Sequence, residues 1–264
     1  MNDGKIILEG CGLHSGKNCR LVIERCDSPE ILIRSGNNEL PLRMLKTSGT
    51  NRGSDYAFPD GTTIRTCEHV LSALYGLGML SGLSLNVEGG EIPALDGCSR
   101  ILCGELDALG HVGNEPPALE VHEPVMVCGN DRTRFVAAFP SDGLHVTYTV
   151  EYEHVGAQVY DYTHSPENYR ENISGARTFA MKSDIEYLRA HGMALGGSLD
   201  NAIVIGDTIE AKGGLRWPDE FVRHKVLDLL GDSASFGRPL NAHIIAVRAG
   251  HELHLRLAEK LKGE

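Results

Sequence analysis

Apolar residues in this chain follow two spacings, one that predicts helices and one that predicts strands. A recurrence every three to four residues is typical of a helix with one buried face. It occurs at 65–78, 99–110, 183–192, 221–232 and 251–261. Alternating or short continuous apolar runs predict strands. They occur at 19–25, 31–35, 83–89, 119–127, 133–140, 144–152, 202–206 and 243–250. We expect Thr66 and Ser183 to cap the helices that they precede.

The chain divides most naturally at residues 110–120, GHVGNEPPALE. Pro116 and Pro117 stiffen this stretch, which separates a helical segment from a strand-like one. Each side of it offers several strands and about two helices, a pattern that indicates sheets with packed helices. We therefore expect an α+β fold with two similar domains, residues 1–115 and 118–264.

Composition and charge narrow the class of protein. The chain has 264 residues and a net charge of -11, which argues against nonspecific nucleic-acid binding. Its seven cysteines are odd in number and form no CxxC pair, so a reducing compartment is favoured over a disulfide framework. The sequence shows neither a signal-peptide pattern nor a run of about 20 apolar residues. We expect a cytoplasmic protein without a transmembrane segment.

Polar residues on one face of the fourth predicted helix indicate chemistry. His224, Asp228 and Asp232 follow one another at intervals of four, which places all three on one side of a helix. A histidine and a carboxylate at this spacing can bind one metal ion. His69 is the natural third ligand, and Glu68 beside it would act as a general base. By spacing alone, however, an HxxxD pair is more often a surface ion pair or a capped core histidine.

A further histidine stands at the predicted turn from the last strand to the last helix. His251 directly follows Gly250, in a turn that would expose the side chain to a cleft. A cationic His251 held by a carboxylate could protonate a leaving group. We assign Asp232 to hold it, because a negative charge near a helix end is otherwise unfavourable. Together with the predicted metal ligands, this histidine suggests a metallohydrolase.

Seven motifs, taken in order, resemble those of one known family. They are GLHSGK (12–17), TCEHVLSALYGLG (66–78), EIPALDG (91–97), GARTF (175–179), LGGSLDNAIV (195–204), FVRHKVLDLLGD (221–232) and AGHELH (249–254). They span nearly the whole chain and resemble UDP-3-O-acyl-N-acetylglucosamine deacetylase, a zinc enzyme of bacterial lipid A synthesis. The resemblance implies two α+β domains, each a β-sheet with two packed helices. It also implies one small insert per domain and an active site between the domains.

The resemblance assigns the same roles that the chemistry suggested. It implies that the zinc ligands are His69, His224 and Asp228. It also implies that Glu68 is the general base and that His251 is the general acid, supported by Asp232. It adds Thr178, whose hydroxyl would help to hold the oxyanion, and Lys225, which would contact the substrate. One Zn²⁺ per chain is implied, although two histidines and one aspartate also accept Fe²⁺.

Further substrate contacts are expected by resemblance. An insert near 192–206 would form the passage for the acyl chain, lined by small or aliphatic residues: Ala194, Gly197, Ala202 and Val204. An apolar run such as AIVI is otherwise typical of a core strand. Phe179 and His14, within the motifs GARTF and GLHSGK, are also expected to contact substrate. Arg248 and Lys225 could meet the diphosphate, or equally be solvated surface charges.

Two departures from the family pattern bear on specificity. Phe139 stands where a basic residue is expected, and the segment 41–61 matches no motif, which leaves the first insert unplaced. One alternative is a zinc amidohydrolase of this fold that acts on another acylated amino sugar. Another is a noncatalytic binding protein, which a poised acid and base argue against. We expect a monomer whose partner is the small-molecule acylated UDP-amino sugar.

Overall fold

The computed structural model describes residues 4–50, 52–110 and 113–262, and those of the first half form eight strands and two α-helices. The strands are β1 (Lys5–Cys11), β2 (Asn18–Arg25), β3 (Leu32–Ser35), β4 (Asn38–Pro41), β5 (Lys46–Gly49), β6 (Asp55–Ala57), β7 (Thr63–Ile64) and β8 (Leu83–Glu88). The helices are α1 (Glu68–Gly76) and α2 (Arg100–Asp107), and a 3₁₀ turn covers Leu42–Met44.

The described residues of the second half form nine strands and four α-helices. The strands are β9 (Leu119–Glu120), β10 (Val125–Cys128), β11 (Phe135–Phe139), β12 (Leu144–Tyr152), β13 (Gly156–Thr163), β14 (Phe179–Met181), β15 (Ile203–Ile205), β16 (Ile209–Glu210) and β17 (Leu240–Val247). The helices are α3 (Pro166–Asn172), α4 (Lys182–Ala190), α5 (Glu220–Ser233) and α6 (His251–Lys262), with a 3₁₀ turn at Ala234–Phe236.

The two large sheets share one strand order. In the described chain the first sheet runs β1-β2-β8-β3-β4 and the second runs β10-β11-β17-β12-β13, with β9 added beside β17. In each sheet the last strand of the set inserts at the centre, antiparallel to one neighbour and parallel to the other. The α+β fold with two similar halves is thereby confirmed.

Each half also holds a small three-stranded sheet. β5, β6 and β7 form one, in and just after the segment 41–61 that matched no motif. β14, β15 and β16 form the other; β15 lies within the predicted acyl passage at 192–206, and β14 and β16 lie on either side of it in sequence. The segment without a motif thus contributes two strands to a small sheet, and its assignment as the first insert stays a prediction.

Helices α1 and α5 connect the two halves. Burial alternates along β12 and β17, as it does in a sheet with one covered face. α5 packs on β12 and β13 of that sheet and also contacts α1. Val70 and Leu71 of α1 lie beside Leu85 of the first sheet. Buried apolar side chains form a continuous cluster from one sheet through these helices to the other.

Both predicted helix caps are wrong. Cys67 is the N-cap residue of α1, because Thr66 has a φ of 57°, outside the extended conformation of a capping residue. The Thr66 hydroxyl instead donates to Glu91 Oε1 at 3.0 Å. α4 follows Met181, so Ser183 lies inside the first turn and not before it. A hydroxyl near the start of an apolar pattern did not locate the first helical residue.

The division of the chain at 110–120 stays a prediction. Residues 111–112 of this stretch lie outside the described residues, and β9 begins at its end, at Leu119. Among the residues that the structure describes, no helix is both long and apolar enough to cross a membrane.

Candidate active site

A cavity of about 570 Å³ opens beside α1 and α5, and residues of both halves line it. The first half contributes His14, Arg52 and Glu68 among others. The second half contributes residues of α5, of the small sheet and of the turn before α6, including Thr178, Phe179, His224, Lys225, Asp228 and His251. A concave site shared by two halves is a common location for substrate binding.

A close contact at Gly231 brings the polar residues of α1 and α5 together. A β-carbon at Gly231 would lie 2.1 Å from the backbone carbonyl oxygen of Glu68, so a larger residue would push the helices apart. His69, next along α1, therefore meets the polar face of α5. The imidazole rings of His69 and His224 lie edge to face with centroids 5.3 Å apart.

Three buried residues form a first group, which we call the Asp228 group: His69, His224 and Asp228. One potential ligand atom of each lies within 4.8 Å of the others. His224 Nδ1 donates to the Ala176 carbonyl oxygen at 3.0 Å, and burial lowers the pKa of this histidine. A neutral ring with its proton on Nδ1 leaves a lone pair on Nε2. Burial and the neighbouring His224 lower the pKa of His69 to about 3, so this ring is neutral too.

The acceptors of the Asp228 group suit a cation. His224 Nε2 lies 3.3 Å from Asp228 Oδ1, and both atoms present lone pairs. Asp228 Oδ1 is buried and has no hydrogen-bond partner among the described residues. An unpaired buried carboxylate oxygen is costly. A metal ion bound by two imidazole nitrogens and this oxygen would satisfy all three atoms, and the donor set is one that zinc accepts.

A second group forms around the aspartate one helical turn further along α5, and we call it the Asp232 group: Asp232 of α5 with His251 and His254 of α6. Asp232 Oδ2 accepts from His251 Nδ1 at 2.9 Å and from His254 Nδ1 at 2.8 Å. Asp232 Oδ1 accepts from the hydroxyl of Ser54. These donors outweigh burial and lower the pKa of Asp232. The predicted pairing of Asp232 with His251 is thus present in the structure.

Glu68 sits beside both groups in a buried position. The backbone N–H of Ser54 donates to Glu68 Oε2 at 2.9 Å. Burial, together with the charge of Asp228, raises the pKa of Glu68 to about 7, against the opposing effect of His251. A carboxylate with this pKa can accept a proton near neutral pH, as a general base must.

His251, unlike Glu68, is suited to donate a proton. Burial alone would favour the neutral ring, but the carboxylates of Asp232 and Asp228 raise the pKa of His251 to about 9. Its Nδ1 is held by Asp232, and its Nε2 lies 3.7 Å from Asp228 Oδ2 at the cavity. The ring is therefore cationic at neutral pH with Nε2–H free for a ligand, as a general acid requires.

Lys225, Phe179 and Thr178 lie along one side of the cavity. Lys225 Nζ donates to Asp228 Oδ2 at 2.7 Å and stands 5.5 Å from the centre of the Phe179 ring. Burial opposes its charge, but Asp228 raises the pKa of Lys225, so the ammonium persists. The Thr178 backbone is fixed by Gly97 and Ile203, with N–H···O distances of 2.8 and 2.9 Å, which leaves its side chain at the cavity.

The predicted acyl-passage residues also line the cavity: Ala194, Gly197, Ala202 and Val204. His14 reaches them from the first half, because the Ala194 N–H lies 3.4 Å from His14 Nδ1. Its other nitrogen, Nε2, bonds to the Arg52 carbonyl oxygen at 3.2 Å, and burial lowers the pKa of this histidine. His14 therefore acts as a neutral bridge between the two halves at the cavity wall.

Arg248 and Phe139 lie away from the cavity. Among the described residues, Arg248 does not line the cavity, and it pairs with Glu151 at 3.5 Å on the surface. Phe139 ends β11 opposite His243, also away from the cavity lining. Arg134 does line the cavity, at the start of β11, although no motif pointed to it.

Sequence reasoning missed two polar residues that contact Asp232. Ser54 lies just before β6 in the segment without a motif, yet its N–H and hydroxyl contact Glu68 and Asp232. His254 follows His251 by three residues, a spacing that places both on one face of a helix. That spacing was a usable signal for His254, whereas Ser54 offered none.

Comparison with known proteins gives a consistent result. The family model "LpxC: UDP-3-O-acyl N-acetylglycosamine deacetylase" matches residues 3–263. The chain is similar to the UDP-3-O-acyl-N-acetylglucosamine deacetylases of Wolinella succinogenes and Chlamydia muridarum. The first is 37% identical over 99% of this chain and 90% of the relative, the second 34% identical over 97% and 92%. The enzyme of Bdellovibrio bacteriovorus is 33% identical over 97% of this chain and 87% of its own length. The chain therefore belongs to the UDP-3-O-acyl N-acetylglycosamine deacetylase family.

Proposed function

We propose that His69, His224 and Asp228 hold one metal ion at which this chain removes the acetyl group of a UDP-3-O-acyl-N-acetylglucosamine. Deacetylation within lipid A biosynthesis is the activity of the family to which the chain belongs. The observation that supports the metal site best is the buried, unpaired Asp228 Oδ1 opposite the lone pair of His224 Nε2. We assign Zn²⁺ to the site, since two imidazoles and one carboxylate are a common catalytic zinc set, with Fe²⁺ as the alternative.

A bound divalent ion supplies Lewis-acid polarisation of the amide carbonyl and makes water easier to deprotonate. Glu68 takes the proton from the attacking water. Its pKa of about 7 balances the ionised fraction against basicity, which is the condition for a useful general base. The Ser54 N–H fixes one carboxylate oxygen and leaves the other, Oε1, to accept that proton.

The leaving amine receives its proton from His251. Asp232 holds Nδ1–H, so the proton available for transfer is on Nε2, which lies at the cavity. Loss of the amine without protonation would expel an unstable anion, and a cationic imidazole removes that barrier. The Thr178 hydroxyl and the Lys225 ammonium line the same wall and stabilise negative charge on the substrate.

The acyl chain of the substrate lies along Ala194, Gly197, Ala202 and Val204, where an apolar wall matches an apolar chain. The diphosphate lies toward Lys225, and Arg248 could reach it only from outside the cavity lining. Residues 1–115 and 118–264 act as two domains of a monomer in the cytoplasm. These assignments rest on the cavity lining and the family pattern.

Acetate release from UDP-3-O-acyl-N-acetylglucosamine tests the proposal. We expect turnover by the purified chain, loss of turnover after treatment with a chelator, and recovery on addition of Zn²⁺. Simple N-acetyl sugars without the acyl chain or nucleotide should be poor substrates. A metal-free chain that hydrolyses the substrate at the full rate would contradict the proposal.

A further inference from the structure

The Asp232 group contains a histidine, His254, to which the reaction gives no direct part. His254 is buried in the first turn of α6 and does not line the cavity among the described residues. It is nevertheless joined to the general acid through one shared oxygen atom, Asp232 Oδ2. Buried histidines of this kind need hydrogen-bond partners on both ring nitrogens.

The hydrogen-bond partners of His254 determine which ring nitrogen carries the proton. Asp232 is ionised and only accepts, so His254 Nδ1 must carry a hydrogen to make its 2.8 Å contact. Burial lowers the pKa of His254, and the neutral ring then has a lone pair on Nε2. The hydroxyl of Tyr148 lies 2.9 Å from that nitrogen and donates to it. Tyr148 is itself completely buried.

A chain of donors thus runs from Tyr148 through His254 to Asp232. The Tyr148 hydroxyl donates to His254 Nε2, and His254 Nδ1–H donates to Asp232 Oδ2. His251 Nδ1–H donates to the same oxygen from the other side. Asp232 cannot rotate toward the cavity without breaking these bonds, so the ring of His251 stays aligned.

We propose that His254 is a positioning residue for the deacetylation: its Nδ1–H orients Asp232, which in turn presents His251 Nε2 to the leaving amine. The inference rests on the proposed function of His251 as general acid. His254 lies outside the cavity lining of the described residues. Its Nδ1–H reaches His251 only through Asp232, although the two imidazole rings also lie edge to face with centroids 6.0 Å apart. In serine hydrolases a carboxylate orients a histidine in the same way, and here a second histidine orients the carboxylate.

Two amide substitutions test the roles of the two ring nitrogens of His254 separately. The Nδ2 of asparagine takes the position of histidine Nδ1, so His254→Asn keeps a donor for Asp232 and loses the contact with Tyr148. The Nε2 of glutamine takes the position of histidine Nε2, so His254→Gln keeps a partner for Tyr148 and removes the donor from Asp232. Both variants replace the ring with one buried amide. Asparagine is one methylene shorter than glutamine, and the melting temperature measures the resulting difference in packing.

The metal-loaded variants are assayed for acetate release, KM, metal content and melting temperature. We expect kcat of His254→Gln to fall about 10- to 100-fold with KM and metal content unchanged. We expect His254→Asn to stay within about threefold of the wild type. Equal kcat values for the two variants, or a faster glutamine variant, would overturn the proposal.

His164 provides the matched control. Its Nδ1 lies 2.9 Å from the hydroxyl of a buried tyrosine, Tyr162, but it contacts no carboxylate within the described chain. His164→Asn and His164→Gln should lower the melting temperature without separating in kcat. A purely structural role of His254 would give the same pattern, with stability lost and kcat retained in both variants.

The protonation state of His254 can also be measured in the wild type, so this test does not depend on the folding of a variant. In ¹⁵N-histidine NMR spectra, His254 should be a neutral ring protonated at Nδ1. A ring protonated at Nε2 would overturn the proposal, because it could not donate to Asp232. Failure of the wild type to release acetate would instead contradict the proposed function, whatever the state of His254.

Discussion

The Asp228 group and the Asp232 group have the same composition, one aspartate and two histidines, and their aspartates lie one turn apart on α5. Their hydrogen bonds differ. In the Asp228 group one carboxylate oxygen lacks a partner among the described residues and faces an imidazole lone pair. In the Asp232 group both carboxylate oxygens accept from N–H or O–H donors.

Residue type therefore does not distinguish a metal site from a site that holds a proton. Both groups could hold a cation by composition and by the spacing of their ligand atoms. The presence or absence of hydrogen-bond donors decides whether a group binds a metal ion, because a buried carboxylate oxygen needs either a donated hydrogen or a cation. Asp228 lacks the hydrogen on one oxygen, whereas Asp232 has it on both.

Glu68→Gln gives the largest effect expected on the chemistry around the Asp228 group. Glutamine keeps the shape and can still accept from the Ser54 N–H, but it cannot take a proton from water. We expect kcat to fall by about 10²- to 10⁴-fold while metal content stays at the wild-type level. Acetate release and metal analysis measure both quantities. A variant with near-normal kcat would remove Glu68 from its role as base.

Gly231→Ala tests the contact that brings the two groups to α1. The added β-carbon would meet the Glu68 carbonyl oxygen at 2.1 Å, so α1 and α5 must separate. We expect a loss of about 1–3 kcal/mol in the free energy of unfolding, together with reduced kcat. Gly104→Ala in α2 is the control, since its β-carbon has no atom within 4 Å in the described structure. The control should gain up to about 1 kcal/mol.

Ser54→Ala removes one donor from the Asp232 group. The variant keeps the backbone N–H that fixes Glu68 but leaves Asp232 Oδ1 without its hydroxyl partner. We expect kcat to fall about 3- to 10-fold at unchanged metal content. Ser84→Ala is the control, because the Ser84 hydroxyl is buried with no partner among the described residues. If both variants keep wild-type kcat, the Ser54 hydroxyl does not contribute to catalysis.

Glu220 extends the comparison to a buried carboxylate with donors only. It accepts from Arg177 Nε at 2.8 Å, from Arg177 Nη2 at 3.0 Å and from the Arg216 N–H at 2.6 Å. Burial opposes ionisation, but these donors lower the pKa of Glu220 below its value in the unfolded chain. Its contribution to stability is therefore complete above the unfolded pKa and lost as the pH falls below it.

Glu220→Gln should accordingly make the melting temperature less dependent on pH under acidic conditions. We expect the wild type to melt a few degrees higher than the variant near pH 7, with the difference kept down to the usual glutamate pKa of about 4.3 and smaller near about pH 3. Calorimetry at both pH values measures it. Parallel pH dependence of the two proteins would show that the ion pair does not set acid stability.

The sequence predicted the parts of the site that follow from one helix. His224, Asp228 and Asp232 share a helix face by their spacing alone, and Gly250 predicted the turn before His251. The fold class was also predicted, since two spacings of apolar residues indicated both sheets and helices. The family motifs added Thr178, which no spacing rule would select.

The rest depends on contacts between distant segments. Ser54 joins the site only because β6 begins beside α1, and the approach of α1 to α5 depends on one glycine. The caps at Thr66 and Ser183 failed because backbone conformation before a helix is set by tertiary contacts, such as the bond from Thr66 to Glu91. No pattern in a single segment contains that information.

The metal content of two isosteric variants would show which aspartate of α5 binds the ion. Asp228→Asn and Asp232→Asn each replace one carboxylate of α5 with an amide of the same shape. After loading with Zn²⁺ and removal of free metal, Asp232→Asn should retain about one ion per chain, and Asp228→Asn far less. The opposite result, with metal lost from Asp232→Asn and kept by Asp228→Asn, would contradict the assignment of the two groups.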